Sequence, residues 1–491
     1  MRIGFFNVPY LATFGWMSRS APNYVPLGTA SLAAFLRKQG HDVTAIACDL
    51  SRISIEDGVK RLLSFNPDFI GISATSPGYP VACHVAEILK EQTDAPICLG
   101  GVHVSARPRE SLLECDALDL VVAGEGEKPL LELIKRLENK RPLSGSSPPA
   151  GVMWRNNHDI AEGPPGDFLE DLDNLPFPAY DLFEVRNCRP PVYFDFGLYP
   201  SVNIMTSRGC PSKCIYCASK LTMGPRYRTF SPSYIFEMVR YLKKDFGVRF
   251  ISITDDTFTI QKHRVYELCD MLQRSGMDIK WTCFSRADGL DQNLAKVMQR
   301  AGCIGLNFGI ESGNSTMLAR IGKGSRLEDS LNAIEAARAA GLRIVCSFMT
   351  GFPKETPEMA EETIDFAIRL NPDLALFNSL VPYPGTPVSK EVLRPEDYDG
   401  IDWTMMRTST TGAGPVFEGD GRTAADLVRW VKRANRRFYL RQAFFAKIPR
   451  LMPRGFNVAL RNLSGILGLA VKTLRMKTDL TLKARPVREA L

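Results

Sequence analysis

Three cysteines fall within eight residues of one another in the stretch SRGCPSKCIYCASK (207–220): Cys210, Cys214 and Cys217, spaced C-x3-C-x2-C. Thiolate is the ligand form of cysteine, so three in one short loop make a candidate metal centre. Zinc takes thiolates, but a structural zinc site usually combines paired C-x2-C units with a fourth protein ligand, and no second pair is present. Four-cysteine iron–sulfur patterns are incomplete too, because no fourth cysteine lies within several residues. A cubane held by this trio would leave one iron without a protein ligand. An open coordination position accepts a substrate or cosubstrate, as at catalytic zinc. The other nine of the twelve cysteines are scattered singly, for example Cys48 and Cys346 inside apolar runs, and read as small core hydrophobes.

Such a loop needs a rigid support, and the periodicity on either side supplies one. The loop follows SVNIMTS, the first of six strand-like runs; VRFISIT, IKWTCFS, CIGLNFGI, RIVCSFM and LALFNSL are the others. Helical patterns separate them, the first opened by Ser231 and Pro232 and carrying Ile235, Met238, Val239 and Leu242 at helical spacing. A closed (β/α)8 barrel needs eight such units, so six predict a partial (β/α)6 TIM-type barrel, open on one side, with its chemistry at the carboxyl ends of the strands. Those ends carry Asp255 and Asp256 in ITDDTFT, Ser285 and Arg286 in FSRAD, and Glu311 and Ser312 in GIESGN.

Upstream, RIGFFNV, DVTAIAC, DFIGISAT, PICLGG and LDLVVAG have the length and β-branched content of buried parallel strands, with amphipathic helices between them and Gly40 closing the first. Five βα units in a row predict a doubly wound, Rossmann-like and flavodoxin-like domain whose ligand sits at the strand ends. Here that means the loops at Pro9–Tyr10, Ser73–Ser76, Gly100–His103 and Gly124–Glu127. The expected α/β organisation is therefore a doubly wound domain at 1–140, a linker at 141–195 with one hairpin-like piece around GVMWRNNHDIAEG, a barrel core at 196–395, and a basic, mainly helical region at 396–491.

With 491 residues and a 45% hydrophobic fraction the chain can bury several cores. It opens without the pattern of a signal peptide and holds no uninterrupted apolar run of spanning length, so a cytoplasmic setting with reduced thiols is expected. The net charge of +7 is uneven. From Leu427 onward sixteen Lys and Arg face only Asp479 and Glu489, so this tail carries +14 and the remainder −7. Basic amphipathic helices of this kind suit either a helical domain packed on the barrel or peripheral contact with the anionic inner face of the membrane. Without a recognition motif, nucleic acid is not expected as a partner.

C-x3-C-x2-C on the first loop of a six-unit βα barrel resembles the radical S-adenosylmethionine superfamily, over roughly residues 196–390. The resemblance implies a 4Fe-4S cluster on Cys210, Cys214 and Cys217 whose free iron is chelated by S-adenosylmethionine, the missing fourth ligand. It further implies that Tyr216 lies near the adenine, and that Asp255, Asp256, Ser285, Arg286, Glu311 and Ser312 contact the same molecule, whose reductive cleavage yields a 5′-deoxyadenosyl radical. An electron donor such as flavodoxin or ferredoxin would be a partner. The phrases VPLGTASLAAFLRKQGHDV, LGGVHVSARP and VVAGEGE are similar to those of the cobalamin-dependent branch. That implies cobalamin beside Ser73, Thr75, Ser76, Gly100, Gly101, Gly124, Glu125 and Gly126. The Asp-x-His-x-x-Gly loop that carries a cobalt-ligating histidine in many cobalamin proteins is absent; Asn7, Val8 and Pro9 stand in its place. Cobalamin without a protein imidazole is therefore expected, with His103 a turn residue. The implied reaction is methyl transfer to an unactivated centre of a small-molecule or lipid-like substrate. The alternatives are a ring closure or rearrangement without methyl transfer, or a cluster that only senses redox state.

Overall fold

A computed structural model describes residues 1–9, 21–141, 143, 145–156, 159–406, 418 and 420–451. Strands β1 (Arg2–Asn7), β2 (Asp42–Ala47), β3 (Phe69–Ser73), β4 (Ile97–Gly100) and β5 (Leu120–Val122) form a parallel sheet in the order β2-β1-β3-β4-β5. The order reverses between β1 and β3, which opens a crevice at their carboxyl ends. Gly40, just past the helix Leu27–Lys38, takes φ 90° and turns the chain into β2, the stop expected there. The hairpin expected around residues 151–163 is β6 (Val152–Asn156) with β7 (Asp159–Glu162), and it does not stand apart. β6 pairs antiparallel with β5, so the first sheet has seven strands and takes up part of the segment expected as linker. Trp154 of β6 is wholly buried, which accounts for its attachment.

The second sheet holds six parallel strands in the order β8 (Ser201–Ile204), β11 (Phe250–Ile253), β12 (Lys280–Ser285), β13 (Cys303–Glu311), β14 (Arg343–Thr350) and β15 (Leu374–Ser379). β8 and β15 do not pair, so the barrel is open as expected. Between β8 and β11 lies the two-stranded ladder β9 (Ser207–Arg208) and β10 (Arg228–Thr229), too short for any periodicity to reveal.

The two sheets are stitched together by buried polar bonds. Asn203 of β8 accepts from Val25 N–H and donates to Val25 O, both at 3.0 Å, while the Tyr24 hydroxyl donates to Ser252 Oγ of β11 at 2.8 Å. One apolar core runs from Phe5 and Phe69 in the first sheet to Phe308 and Phe348 in the barrel. On the barrel's far side the helix Ala424–Tyr439 packs its apolar face against β15, where the Tyr439 hydroxyl donates to Ala375 O at 2.6 Å, and Arg437 pairs with Glu361 and Asp365. This much of the basic region is a helix docked on the barrel. The rest of the tail, from residue 452, lies outside the described residues. No helix among the described residues is long and apolar enough to cross a membrane.

Candidate functional site

The cysteine loop is a closed excursion of the chain. β9 and β10 clamp its base, Ser207 opposite Thr229 and Arg208 opposite Arg228. Between clamp and cysteines, Gly209 takes φ 81°, and a Cβ there would stand 2.1 Å from Arg226 O, so only glycine fits. The far side is pinned by the backbone: Ile215 N–H donates to Ile321 O at 3.0 Å, and Ile215 O accepts from Val388 N–H at 2.9 Å. All three sulfurs are partly buried. Burial pushes the Cys217 thiol up to about 11 and raises Cys214, where the nearby charges of Lys323 and Arg286 pull the other way. Among the described residues, no three His, Cys, Asp or Glu side chains converge to hold a single metal ion. Three thiols on one loop without a fourth protein ligand among the described residues are a donor set suited to a cluster in which each cysteine takes a different iron.

The strand ends surround this loop unevenly. Arg286 reaches across to it, Nη1 donating to Ser212 Oγ at 2.6 Å and Nη2 to Lys323 O at 2.7 Å, while Asp288 accepts from Nε and Nη2. Glu311 ends β13 at φ 70°, a left-handed backbone that a non-glycine residue adopts at some cost, and its buried carboxylate accepts from Lys323 Nζ at 2.6 Å. Tyr216 packs edge-on against Phe352, with ring centroids 5.9 Å apart; burial and the Glu311 charge together raise its phenol well above the usual range. Asp256 is exposed to the site beside Cys217 and accepts from Ser219 Oγ.

Three of the strand-end residues singled out in the sequence are occupied elsewhere. Asp255 is fully buried and accepts from Thr206 N–H, Thr206 Oγ1 and Ser207 Oγ, which fixes the chain at the end of β8. Burial raises its carboxyl, and Arg264 and those donors offset the rise in part. Ser285 shares a hydrogen bond with Thr259 Oγ1 at 2.7 Å, and Ser312 with Thr363 Oγ1 at 3.1 Å, both out of solvent. Lys323 and Ser212 carried no motif signal. Ser212 is there because it lies within the cysteine loop, whereas Lys323 reaches the site only because the GKG turn folds over that loop, where a Cβ on Gly322 would lie 2.7 Å from Lys213 O.

A cavity of about 630 Å³ opens at the carboxyl ends of β1, β3, β4 and β5. Ser73, Thr75, Gly100, Gly101, Gly124, Glu125 and Gly126 all line it. Gly101 takes φ 103°, and a Cβ there would meet Ala74 O at 2.5 Å, so glycine keeps this wall open. Ser76 is absent from the lining. It is buried and bonded to His103 Nδ1 at 3.2 Å, and His103 in turn stacks on Tyr79 at 4.0 Å and meets Trp403 edge-on at 4.6 Å. Burial drops the His103 imidazole to about 3, and this ring also does not line the cavity; it sits in the short helix Val102–Ala106, not in the turn expected. The far wall comes from the barrel: Arg208, just before the cysteines, and Thr222 and Met223 of the helix Ser219–Met223, just after them. Glu125 and Glu127 form a buried four-membered ionic cluster with Arg208 and Arg228, at 2.6 to 3.3 Å. The carboxylate of Glu125, expected to face a ligand, is thus committed to binding the two sheets together.

Residues 204–367 match the radical SAM superfamily and residues 17–134 the B12 binding domain. A methyltransferase of Pyrococcus horikoshii, itself described as uncharacterized, is 34% identical over 423 residues, covering 86% of this chain and 89% of the relative. An anaerobic magnesium-protoporphyrin IX monomethyl ester cyclase of Cereibacter sphaeroides is 26% identical over 91% of this chain and 71% of its own length. The hopanoid C-3 methylase of Methylococcus capsulatus is 28% identical over 80% and 74%. Among solved structures, the radical S-adenosylmethionine methyltransferase TsrM from Kitasatospora setae, with cobalamin and a 4Fe-4S cluster bound, superposes with a TM-score of 0.66 at 19% identity, over 80% of this chain and 77% of that one. OxsB with aqua-cobalamin bound gives 0.69 at 17% identity, over 96% and 80%. Identities this low speak for the fold alone. The two domains bring a 4Fe-4S cluster with S-adenosylmethionine to the barrel and cobalamin to the first sheet. The chain is an enzyme of the radical S-adenosylmethionine superfamily, in the branch whose barrel is preceded by a B12-binding domain.

Proposed function

We propose that the enzyme transfers a methyl group to an unactivated centre of a small-molecule or lipid-like substrate, drawing electrons from a donor such as flavodoxin or ferredoxin. The observation that supports it is the cavity at the strand ends of the B12-binding domain, whose far wall is formed by residues flanking the cysteine loop, Arg208, Thr222 and Met223. Two cofactors that act on one substrate must face a common space. When bound, the cluster supplies an electron that cleaves S-adenosylmethionine, and cobalamin supplies the methyl group.

The chain's own part in this proposal is orientation and charge. Cys210, Cys214 and Cys217 would hold the cluster on a loop clamped at both ends. Lys323 and Arg286 offset the negative charge of thiolates and cluster. Glu311, held by Lys323 in a strained backbone, Asp256 and Tyr216 offer carboxylates and an aromatic face to S-adenosylmethionine. Asp255, Ser285 and Ser312 keep the strand ends in register from behind. Ser73, Thr75, Gly100, Gly101, Gly124 and Gly126 form the bed for cobalamin.

The test uses anaerobically purified enzyme supplied with cobalamin, a reductant and S-adenosylmethionine carrying a deuterated methyl group. Methyl transfer requires the label on cobalamin, with S-adenosylhomocysteine released alongside 5′-deoxyadenosine. Release of 5′-deoxyadenosine with unlabelled cobalamin would assign the enzyme instead to radical chemistry without methyl transfer, the class to which the related cyclases point.

A further inference from the structure

Among the described residues, the cavity contains one polar side-chain group left unsatisfied. Asn7, the last residue of β1, lines it and is nine-tenths buried, yet its Nδ2 has no hydrogen-bond partner among the described residues. Its other amide atom is fixed: Oδ1 accepts from the Thr29 hydroxyl at 2.9 Å, and Thr29 is itself buried on the helix Leu27–Lys38. The amide is thereby oriented with its donor side free. A buried donor without an acceptor is costly, and such groups are rare unless a ligand or water completes them.

The surrounding charge narrows the acceptor. Glu125 and Glu127 on the cavity wall are paired with Arg208 and Arg228, so the guanidinium of Arg208 that lines it is already committed. An anionic oxygen would be desolvated there with no uncommitted cation among the described lining residues to pair with it. A neutral oxygen, such as a carboxamide carbonyl or a ribose hydroxyl, meets no such penalty. We propose that Asn7 is a binding determinant for cobalamin, its Nδ2 donating to a neutral oxygen of the bound corrinoid, with Thr29 as the positioning residue that holds the amide in the donating orientation. The inference rests on the reading of this cavity as the cobalamin site.

The experiment titrates hydroxocobalamin into full-length protein purified without it, following the corrin absorption, for the native chain and for Asn7→Leu, Asn7→Asp and Thr29→Val. Leu and Asp keep the side-chain shape and remove the donor. Each should weaken binding by about tenfold or more, the equivalent of ~1.4 kcal/mol. Thr29→Val leaves the donor but frees its rotation, and should weaken binding about threefold to fivefold. Iron content after reconstitution, a property of the barrel loop, should stay unchanged in all three. Native affinity in Asn7→Leu would overturn the inference; if that variant does not fold, native affinity in Thr29→Val would do so. Failure of the native chain itself to bind cobalamin would instead remove the cobalamin reading, and the inference with it.

Discussion

Glu355 shows how one buried carboxyl sets a pH dependence. It sits in the TGFPKET turn behind Phe352 and accepts from the backbone N–H groups of Gly351 and Phe352, and burial raises it from its ordinary 4.5 to about 7. Between those two values the native chain holds a proton that the unfolded chain has released. The stability contributed here is therefore greatest below about 4.5, falls as pH rises to about 7, and is level above that. Glu355→Gln should lose this slope, so its melting temperature measured against the native chain should rise between pH 5 and pH 8, by the equivalent of about 1–3 kcal/mol. A constant difference across that range would contradict the account. A second residue-scale prediction concerns Gly209. Alanine there would collide with Arg226 O and misalign the clamp, so Gly209→Ala should retain little iron after reconstitution, as metal analysis would show. At this scale the sequence told residue type well and direction poorly. The cysteines were legible because their chemistry depends on spacing. Ser285 and Ser312 lay at the right strand ends, but their hydroxyls turn to Thr259 and Thr363, partners 26 and 51 residues away that no local pattern announces.

Among the elements, the loops at the barrel mouth act as a unit. Arg286, on the turn after β12, joins that turn to the cysteine loop through Ser212 and to the GKG turn through Lys323 O. Its replacement by Met keeps the length but removes all of these bonds. Groups that orient metal ligands from behind are worth about 10- to 100-fold in metal affinity. Arg286→Met should accordingly lose iron to a chelator about tenfold faster than the native enzyme, measured by the decay of the cluster's visible absorption; an unchanged rate would show that the loop holds its shape alone. The strands themselves were readable from apolar runs bounded by helical patterns, and all eleven parallel strands stand where those runs predict. The β9–β10 ladder was not, because two residues carry no period.

For the whole molecule, the decisive contact is the ionic cluster of Glu125, Glu127, Arg208 and Arg228, buried between the two sheets. Removing one member of a buried ion pair costs about 3–5 kcal/mol, since the remaining charge loses its compensation. Glu127→Gln leaves Arg208 with only Glu125 at 3.3 Å, so a fall in melting temperature should come together with weaker cobalamin binding and weaker iron retention, because both sites border this cluster. Loss of one without the other would show that the sheets hold their cofactors independently. GEGE was visible in the sequence as a glycine-bearing strand end suited to a ligand. That its carboxylates instead pair with arginines about 80 and 100 residues later follows only from the packing of the two sheets.

The account as a whole depends on three sulfurs gripping an iron–sulfur cluster in the same chain that holds cobalamin. Metal analysis of the native protein and Cys214→Ala, reconstituted side by side under anaerobic conditions, addresses this most directly. The native chain should carry about four irons and one cobalt, and the variant should keep its cobalt while losing its iron. A full iron complement in Cys214→Ala, or zinc in place of iron in the native chain, would contradict it.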